Sequence, residues 1–327
     1  KKQSDYENAK REFEANPNYN AMYNIFLDGI PEYHPEKSIH DKIDFCLNIL
    51  NTKYQNNEID LNKFYTHLFE MESIVSQIIV DLPDVKKELS RIGIFRRSIM
   101  LLKRQTMEDI VRIETASMGE SGIMYKFIEG ESTYLVKPAV DKKSFSSQSF
   151  RADVQEAAFK LQDFLSPATS VRVESIDGRL KLSKQEMITV SEENSNALVD
   201  WVNNGGTLDY QYSSSLLREY VVDFLLCNFD CYVGNFIIDS SNQVRGIDKE
   251  QSFRFINNPD SLKADFSYIP NGNHRIPIYY ILFDRYKRGE IDLDLSVITD
   301  TIEKVKLLTD EEYKAFFEKY AVSLDKY

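Results

Sequence analysis

Two acids and one amide within residues 225–253 are spaced in a way that suits phosphate chemistry. Asp230 is followed five positions later by Asn235, and Asp248 comes thirteen residues after Asn235. Mg²⁺ takes few protein oxygens and completes its coordination with water and substrate phosphates. The pattern predicts that Asn235 and Asp248 hold a metal ion with its polyphosphate, and that Asp230 orients a hydroxyl group for attack.

Two short apolar runs between Asn235 and Asp248 predict a β-hairpin. The runs are residues 236–238 and 244–247, and the turn-forming residues 239–242 join them. Such a hairpin would bring Asn235 and Asp248 to the same end. An acid and an amide that merely cap turns would give the same pattern. The choice between a metal site and turn caps therefore depends on the other elements of the chain.

A second set of residues suits phosphate binding over a small sheet. Alternating strands are predicted at about 111–115, 123–128 and 133–137, with Gly119, Ser121 and Gly122 in the first connection and Lys137 ending the third strand. Glycines let backbone N–H groups approach phosphates closely, and a serine hydroxyl adds a donor. Lys137 would neutralise the α- and β-phosphates. A plain hairpin with a surface lysine is the alternative.

The next elements would complete a nucleotide site. A helix is predicted from about residue 151 to 165, and Glu156 lies beside its apolar stripe. Glu156 could turn towards Lys137 and orient the amine, or it could remain a surface residue. The backbone of Glu186 and Ile188, in the segment that leaves the following hairpin, is the expected place for an adenine edge.

The order of these residues resembles a kinase, in which a catalytic Asp precedes a metal-binding Asn by five positions. Residues 134–138, YLVKP, resemble the V-x-K-P around the ATP lysine of type II phosphatidylinositol 4-kinases and HipA-like bacterial kinases. Residues 224–235 resemble the N-x-D-R-H-x-x-N loop of phosphatidylinositol-kinase-like proteins, whose bacterial members include Ser/Thr protein kinases. Residues 246–253 resemble their I-D-x-G-x-x-F metal motif. The resemblance covers about residues 110–290.

The resemblance implies an α+β chain with a bilobal protein-kinase-like fold. An α-helical accessory domain at 1–109 would precede an N-lobe with a small antiparallel β-sheet at 110–190 and a mostly helical C-lobe at 191–327. It implies ATP and Mg²⁺ as cofactors and Asp230 and Lys137 as catalytic residues. The implied nucleotide-binding residues are Gly119, Ser121, Gly122, Lys137, Glu156, Glu186 and Ile188, and the implied metal ligands are Asn235 and Asp248.

The chain departs from the family pattern at two places. Cys231 and Tyr232 stand where Arg-His usually follows the catalytic Asp, and residues 249–251 lack the usual glycine of the metal motif. Glu250 could join the metal shell, or Lys249 could compete with the metal.

The expected function is therefore ATP- and Mg²⁺-dependent phosphorylation of protein Ser/Thr residues. Three alternatives stay open. They are an AMP-transferring (AMPylating) enzyme on the same fold, a lipid (phosphoinositide) kinase, and a nucleotide-binding pseudokinase scaffold.

Composition restricts the partners and the compartment. Hydrophobic residues make up 42% of the 327 residues, enough for a sizeable core and about two domains. A net charge of −12 argues against nucleic acid or an anionic membrane as the main partner. Three cysteines imply no disulfide framework and suit a reducing compartment. No signal peptide or membrane span of ~18 apolar residues is visible, so we expect a cytoplasmic protein, with delivery as an effector left open.

Helices are expected at both ends of the chain. Apolar stripes at 39–50, 64–78 and 85–99 predict helices that brace the molecule or dock a partner. Closing helices are predicted at 278–288, 293–308 and 310–322, the last with an N-terminal cap at Thr309. The candidates for phosphate or acidic-substrate recognition are His274 and Arg275, and the expected core residues are Trp201, Tyr279, Tyr280, Phe283 and Tyr286.

Overall fold

The chain is an α+β protein. The computed structural model describes residues 2–27, 35–78, 110–115, 125–139, 148–176, 181–268 and 275–325. Within these ranges the chain forms ten α-helices and seven β-strands in small antiparallel sheets. Two compact units are distinguished, Lys1–Ser146 with Gly178–Leu180, and Ser147–Asp177 with Lys181–Tyr327. No helix in the described ranges is long and apolar enough to cross a membrane.

The first unit begins with four helices. They are α1 (Lys2–Ala15), α2 (Tyr19–Leu27), α3 (Pro35–Gln55) and α4 (Leu61–Ile78). The predicted stripe at 39–50 is the buried face of α3, where Ile39, Ile43 and Leu50 are fully buried. The stripe at 64–78 is likewise the buried face of α4 over its described side chains, and both predictions are confirmed. The stripe at 85–99 lies outside the described residues.

Three antiparallel strands follow in the first unit, in the order β1 (Ile110–Thr115), β2 (Tyr125–Glu129) and β3 (Ser132–Pro138). Glu129 pairs with Ser132 across a tight turn in which Gly130 has a φ of +57°. That left-handed conformation is easily adopted by glycine, which explains the position of the turn. The three predicted strands are confirmed.

The second unit contains the remaining elements. Its helices and strands are α5 (Ser149–Leu165), β4 (Val173–Ile176), β5 (Leu182–Glu186), α6 (Ala197–Asn204), α7 (Tyr210–Leu225), β6 (Phe236–Ile238), β7 (Val244–Gly246), α8 (Ile278–Lys287), α9 (Ser296–Lys306) and α10 (Asp310–Asp325). Helix α7 passes through the core, with Leu216, Leu217 and Val222 fully buried. Strands β4 and β5 pair antiparallel, as their sequence predicted.

Aromatic rings fill much of the core beside α7. The ring of Tyr220 packs edge-on against Tyr279 at 5.6 Å and against Phe283 at 4.9 Å between centroids. Tyr279 is fully buried, as predicted. The same prediction is wrong for Tyr280 and Tyr286, which are 37% and 36% exposed because they lie on the outer side of α8.

Trp201 is buried in α6, as predicted, and Arg285 of α8 covers it. The guanidinium lies 4.6 Å from the indole centroid and donates to the carbonyl oxygen of Trp201 at 2.5 Å. This combined cation–π contact and hydrogen bond joins α6 to α8.

Helix α10 begins at the predicted cap. The amide of Glu312 donates to Thr309 Oγ1 at 3.1 Å, and the amide of Thr309 donates to Glu312 Oε2 at 2.8 Å. This reciprocal pair satisfies two N–H groups that have no partner inside the helix. The apolar face of α10 packs on α5, where Phe316 of α10 lies beside Phe164 of α5.

Candidate functional site

The predicted hairpin is present as strands β6 and β7. Phe236 pairs with Gly246 and Ile238 pairs with Val244. The turn is held by Asp239, whose Oδ1 accepts from the amides of Ser241 and Gln243 at 2.8 and 2.9 Å. An aspartate that accepts bonds from its own turn is a frequent way to close such a connection.

The hairpin brings Asn235 and Asp248 to the same end. Asn235 immediately precedes β6, and its carbonyl oxygen accepts from the amide of Ile247 at 2.8 Å, one residue before Asp248. The side-chain amide of Asn235 donates to the carbonyl oxygen of Asp230 at 2.6 Å. Two hydrogen bonds therefore join Asp230 to Asn235, and Asn235 to the residue that precedes Asp248.

The bond to Asp230 also orients the amide of Asn235. Asn235 is 6% exposed, and its nitrogen is engaged by the carbonyl oxygen of Asp230. An amide has one nitrogen donor group and one oxygen acceptor, so this bond leaves Oδ1 as the atom suited to a cation. Oxygen donors from an amide and a carboxylate fit Mg²⁺ chemically.

Asp248 has a strained backbone. Its φ is +56°, in the left-handed region that few residues other than glycine adopt. Such residues cost about 1–3 kcal/mol, persist only when the surroundings enforce them, and cluster at functional sites. The strain at Asp248 agrees with a residue whose direction matters more than its local stability.

The loop that carries Asp230 is tied to α7. The amide of Asp230 donates to Asn228 Oδ1 at 3.2 Å, and Asn228 Nδ2 donates to Asp223 Oδ1 at 2.9 Å. Cys231 is buried behind this loop, where burial and then the charge of Asp223 raise the pKa of its thiol. The thiol is therefore protonated at neutral pH and fills the core, so it is not a nucleophile.

Lys249 does not compete with a metal at Asp248. Its side chain is 1% exposed, and its ammonium lies 2.8 Å from Asp223 Oδ1 and 3.0 Å from Glu219 Oε2. Burial alone would lower the pKa of Lys249, but the two carboxyl groups outweigh it and raise that pKa. Burial raises the pKa of Glu219 despite the opposing ammonium. The ammonium of Lys249 is therefore engaged with buried acids inside the second unit.

Further polar groups complete a buried network around Lys249. Gln162 Nε2 of α5 donates to Glu219 Oε1 at 2.7 Å and to the carbonyl oxygen of Gly246 at 3.1 Å. The hydroxyl of Tyr279 donates to Asp223 Oδ2 at 2.6 Å. We call this set the Lys249 network, and its members are Gln162, Glu219, Asp223, Asn228, Lys249 and Tyr279.

Gly246 is required by the same network. A Cβ atom on Gly246 would lie 2.3 Å from Glu219 Oε2 and 3.0 Å from Lys249 Nζ. Because both atoms are buried and paired, neither has room to move away. The close approach of β7 to α7 thus depends on the absence of a side chain.

Glu156 is buried on α5 and has partners inside the second unit. Its Oε1 accepts from the amide of Ser175 at 3.1 Å, and its Oε2 lies 3.5 Å from Lys319 Nζ and 3.7 Å from Lys160 Nζ. Lys137 lies in β3, which belongs to the first unit, and its pairing with Glu156 stays a prediction. Gly119, Ser121 and Gly122 lie outside the described residues, as does His274.

The expected adenine segment packs next to the predicted metal motif. Ile188 and Ile247 both lie against one apolar cluster formed by Phe159, Val171 and Val173. The amide of Glu186 donates to the carbonyl oxygen of Arg172 at 2.9 Å, so only its own carbonyl oxygen is suited to an adenine edge. Ile188 of the expected adenine segment and Ile247 therefore share a cluster within the second unit.

The linker after Ile188 is hydrogen-bonded to the hairpin. The amide of Ser191 donates to the carbonyl oxygen of Ile238 at 2.8 Å, and the amide of Ser240 donates to the carbonyl oxygen of Thr189 at 3.0 Å. The linker thus pairs with the end of β6 through a single antiparallel bridge between Val190 and Asp239.

The sequence interpretation missed the Lys249 network. A usable signal was present in α7, where Glu219 and Asp223 are one helical turn apart among apolar residues. Two acids on one face of a buried helix require a cation or donors nearby.

Over the part of the chain that the structure describes, no three His, Cys, Asp or Glu side chains gather as a metal site. A site of one amide and one carboxylate is smaller than that and suits Mg²⁺ with phosphates.

No protein-family model matches the sequence, and no curated protein matches it.

Proposed function

We propose that the protein is an ATP- and Mg²⁺-dependent phosphotransferase with a bilobal protein-kinase-like fold. The observation that carries the proposal is the hydrogen-bonded connection from Asp230 through Asn235 to the backbone beside Asp248. It supports the proposal because phosphoryl transfer needs an acceptor-orienting acid fixed relative to the metal ligands.

The roles follow from the chemistry of each group. Asn235 Oδ1 and the carboxylate of Asp248 would hold Mg²⁺, which neutralises charge on the β- and γ-phosphates when bound. Asp230 accepts a hydrogen bond from the acceptor hydroxyl and directs its oxygen at the γ-phosphorus. Because the transition state is loose, fixed positions and charges contribute more than covalent assistance.

Lys137 and the segment with Gly119, Ser121 and Gly122 are the proposed phosphate-binding elements outside the second unit. Glu156 is the proposed partner of Lys137. Glu156 now pairs with Lys319, whose side chain is 37% exposed. The Glu156–Lys319 contact is therefore screened by water and can be exchanged at little cost.

The adenine is proposed to bind to the backbone at Glu186 and Ile188. The side chains of Ile188 and Ile247 are partly buried against a common cluster and offer an apolar face for the ring. Such a face with a few backbone polar groups is typical of nucleotide pockets.

A protein acceptor with Ser or Thr is better supported than a lipid. The net charge of −12 disfavours an anionic membrane surface. The guanidinium of Arg275 lies 4.0 Å from the ring centroid of Tyr232, two residues after Asp230. A cation packed on the loop that carries the proposed catalytic acid favours an acceptor segment with acidic residues.

Replacement of Asp248 by alanine tests the proposal. We expect the wild-type protein to transfer γ-labelled phosphate to itself or to an acidic Ser/Thr peptide, with Mg²⁺ required. Asp248→Ala should lose at least about 100-fold in rate, since loss of the metal removes several kcal/mol of charge stabilisation. Asp260→Ala, which removes an exposed acid in the same unit, should behave as wild type.

The outcomes separate the open alternatives. Equal γ-phosphate transfer by Asp248→Ala and wild type would contradict the assignment. Retention of α-label on the target would indicate AMP transfer, and thermal stabilisation by Mg²⁺-ATP without turnover would indicate a binding scaffold. Transfer to phosphoinositide vesicles with no transfer to peptide would indicate a lipid kinase.

A further inference from the structure

We propose that Lys249 is a positioning residue that sets the direction of Asp248, an inference that rests on the proposed role of Asp248 as a metal ligand. The two residues are consecutive, and the side chain of Lys249 is anchored at its far end by Asp223 and Glu219. Anchoring the ammonium fixes the backbone that Lys249 shares with Asp248.

The strained backbone of Asp248 requires such an anchor. A φ of +56° at an aspartate persists only where neighbouring contacts enforce it. The inward side chain of Lys249 supplies that enforcement on one side, and the bond from Ile247 to the carbonyl oxygen of Asn235 supplies it on the other. Asp248 is thus held between two fixed neighbours.

The same network reaches the proposed catalytic acid. Asp223 Oδ1 accepts from both Lys249 Nζ and Asn228 Nδ2, at 2.8 and 2.9 Å. Asn228 Oδ1 in turn accepts from the amide of Asp230. One buried carboxylate therefore ties the metal motif to the loop of the catalytic acid, and it sets how the two acids are placed relative to each other.

Stability alone does not explain a buried lysine here. Well-packed apolar side chains of similar volume often replace a buried ion pair without loss of stability, because burial of charges is costly. What an apolar side chain lacks is direction, whereas an ammonium between two carboxyl groups has only one satisfactory place. The charged residues of the network are therefore explained by the geometry that they impose.

A charge-free version of the network tests the proposal. The triple variant Lys249→Met, Glu219→Gln and Asp223→Asn removes the ion pairs and keeps an oxygen acceptor for Gln162 and for Asn228, while the new amide nitrogen at position 223 can donate to the hydroxyl oxygen of Tyr279. We expect it to fold, by circular dichroism, and to need at least about tenfold more Mg²⁺ for half-maximal ATP turnover, as when groups that orient metal ligands are lost. Backbone amides of residues 247–250 should also exchange hydrogen faster.

The control is Lys287→Met, which removes an exposed lysine whose ion pair with Asp265 measures 3.4 Å. It should leave both the Mg²⁺ requirement and the exchange rates unchanged. A network that serves packing alone would leave the Mg²⁺ requirement of the folded triple variant at the wild-type value. That result would overturn the proposal.

Two measurements separate this inference from the proposed function. If the wild-type protein turns over no ATP, the proposed function fails. Hydrogen exchange at residues 247–250 still tests the positioning role, and unchanged exchange in the triple variant overturns that role.

If the triple variant does not fold, the variant Tyr279→Phe takes its place, since this change removes only the hydroxyl that donates to Asp223. A smaller rise in the Mg²⁺ requirement, about twofold or more, is expected for Tyr279→Phe. No rise and unchanged exchange would overturn the inference.

Discussion

The second unit contains two clusters of lysines and buried acids, and the clusters differ in how far the lysine side chains are exposed to solvent. In the Lys249 network the ammonium is 1% exposed and both acids are equally buried. The other cluster, which we call the Asp153 cluster, joins α5 to β4 and α10. Its members are Asp153, Glu156, Ser175, Lys181, Lys319 and Ser323.

The lysines of the Asp153 cluster reach solvent although its central acid does not. Asp153 is fully buried and accepts from Ser175 Oγ at 2.7 Å and from Ser323 Oγ. Lys181 Nζ lies 2.6 Å from Asp153 Oδ2 with a side chain 17% exposed, and the side chain of Lys319 is 37% exposed. These ammonium groups can turn into water if they lose a partner.

The difference teaches what each cluster can do. A cation that cannot reach water holds its neighbours in one geometry, which suits the role proposed for Lys249 in directing Asp248. Acids whose cations are partly hydrated can exchange partners, as expected for Glu156 beside Lys319. The three predictions that follow test this contrast between a fixed and an exchangeable cluster.

The largest loss of stability is expected from Asp223→Ala. This change leaves the Lys249 ammonium without its closer carboxylate and removes the acceptor of Asn228 and Tyr279. Breaking a buried ion pair on one side costs about 3–5 kcal/mol. Urea denaturation should show this loss in the free energy of unfolding. Asp223→Asn, which keeps an acceptor, should lose less, and a loss below about 1 kcal/mol for Asp223→Ala would contradict the fixed character of the network.

A smaller loss is expected from Asp153→Ala. The hydroxyls of Ser175 and Ser323 lose their acceptor, at a cost of about 1–3 kcal/mol, while Lys181 and Lys319 already have access to solvent. The free energy of unfolding in urea again measures the effect. A loss as large as that of Asp223→Ala would mean that the two clusters do not differ in the way proposed.

The smallest effect is expected from Lys319→Met. Its side chain is 37% exposed, so its contacts with Glu156 and Asp153 are screened, and the loss should be about 0–1 kcal/mol. Thermal and urea unfolding measure the effect at low salt and at about 1 M salt. The free energies of unfolding of the wild type and of Lys319→Met should converge at about 1 M salt, since salt at that concentration screens charges beyond about 3 Å. A loss that salt does not reduce would show that this lysine acts through packing.

Sequence was sufficient for the elements whose signals are local. The turn residues 239–242 predicted the hairpin, and its antiparallel pairing follows from the apolar runs on either side. The hairpin in turn placed Asn235 and Asp248 at one end. Thr309 and Glu312 predicted the start of α10 because a capping box depends on four consecutive residues only.

Sequence was insufficient where partners are distant along the chain. Lys249 stands between two acids, and nothing within a few residues indicates that its side chain is buried. Its partner Asp223 is 26 positions away on another helix. Long-range pairing of this kind follows from how α7 packs against β7, which local patterns do not determine.

Aromatic character alone was also insufficient in α8. Tyr279 and Tyr280 are adjacent and chemically identical, yet one is fully buried and the other is 37% exposed. Consecutive helical residues point about 100° apart, so only one of the two can face α7. The direction of the buried face had to come from tertiary packing.

The contact between Asp153 and Ser323 has a consequence for synthesis of the chain. The two residues are 170 positions apart, so at about 5–20 residues per second roughly 10–30 s separate their emergence from the ribosome. Throughout that interval the surface of α5 that α10 will cover is open to water and to chaperones. The first helix of the second unit is therefore covered by α10 only after nearly all of the unit has been synthesised.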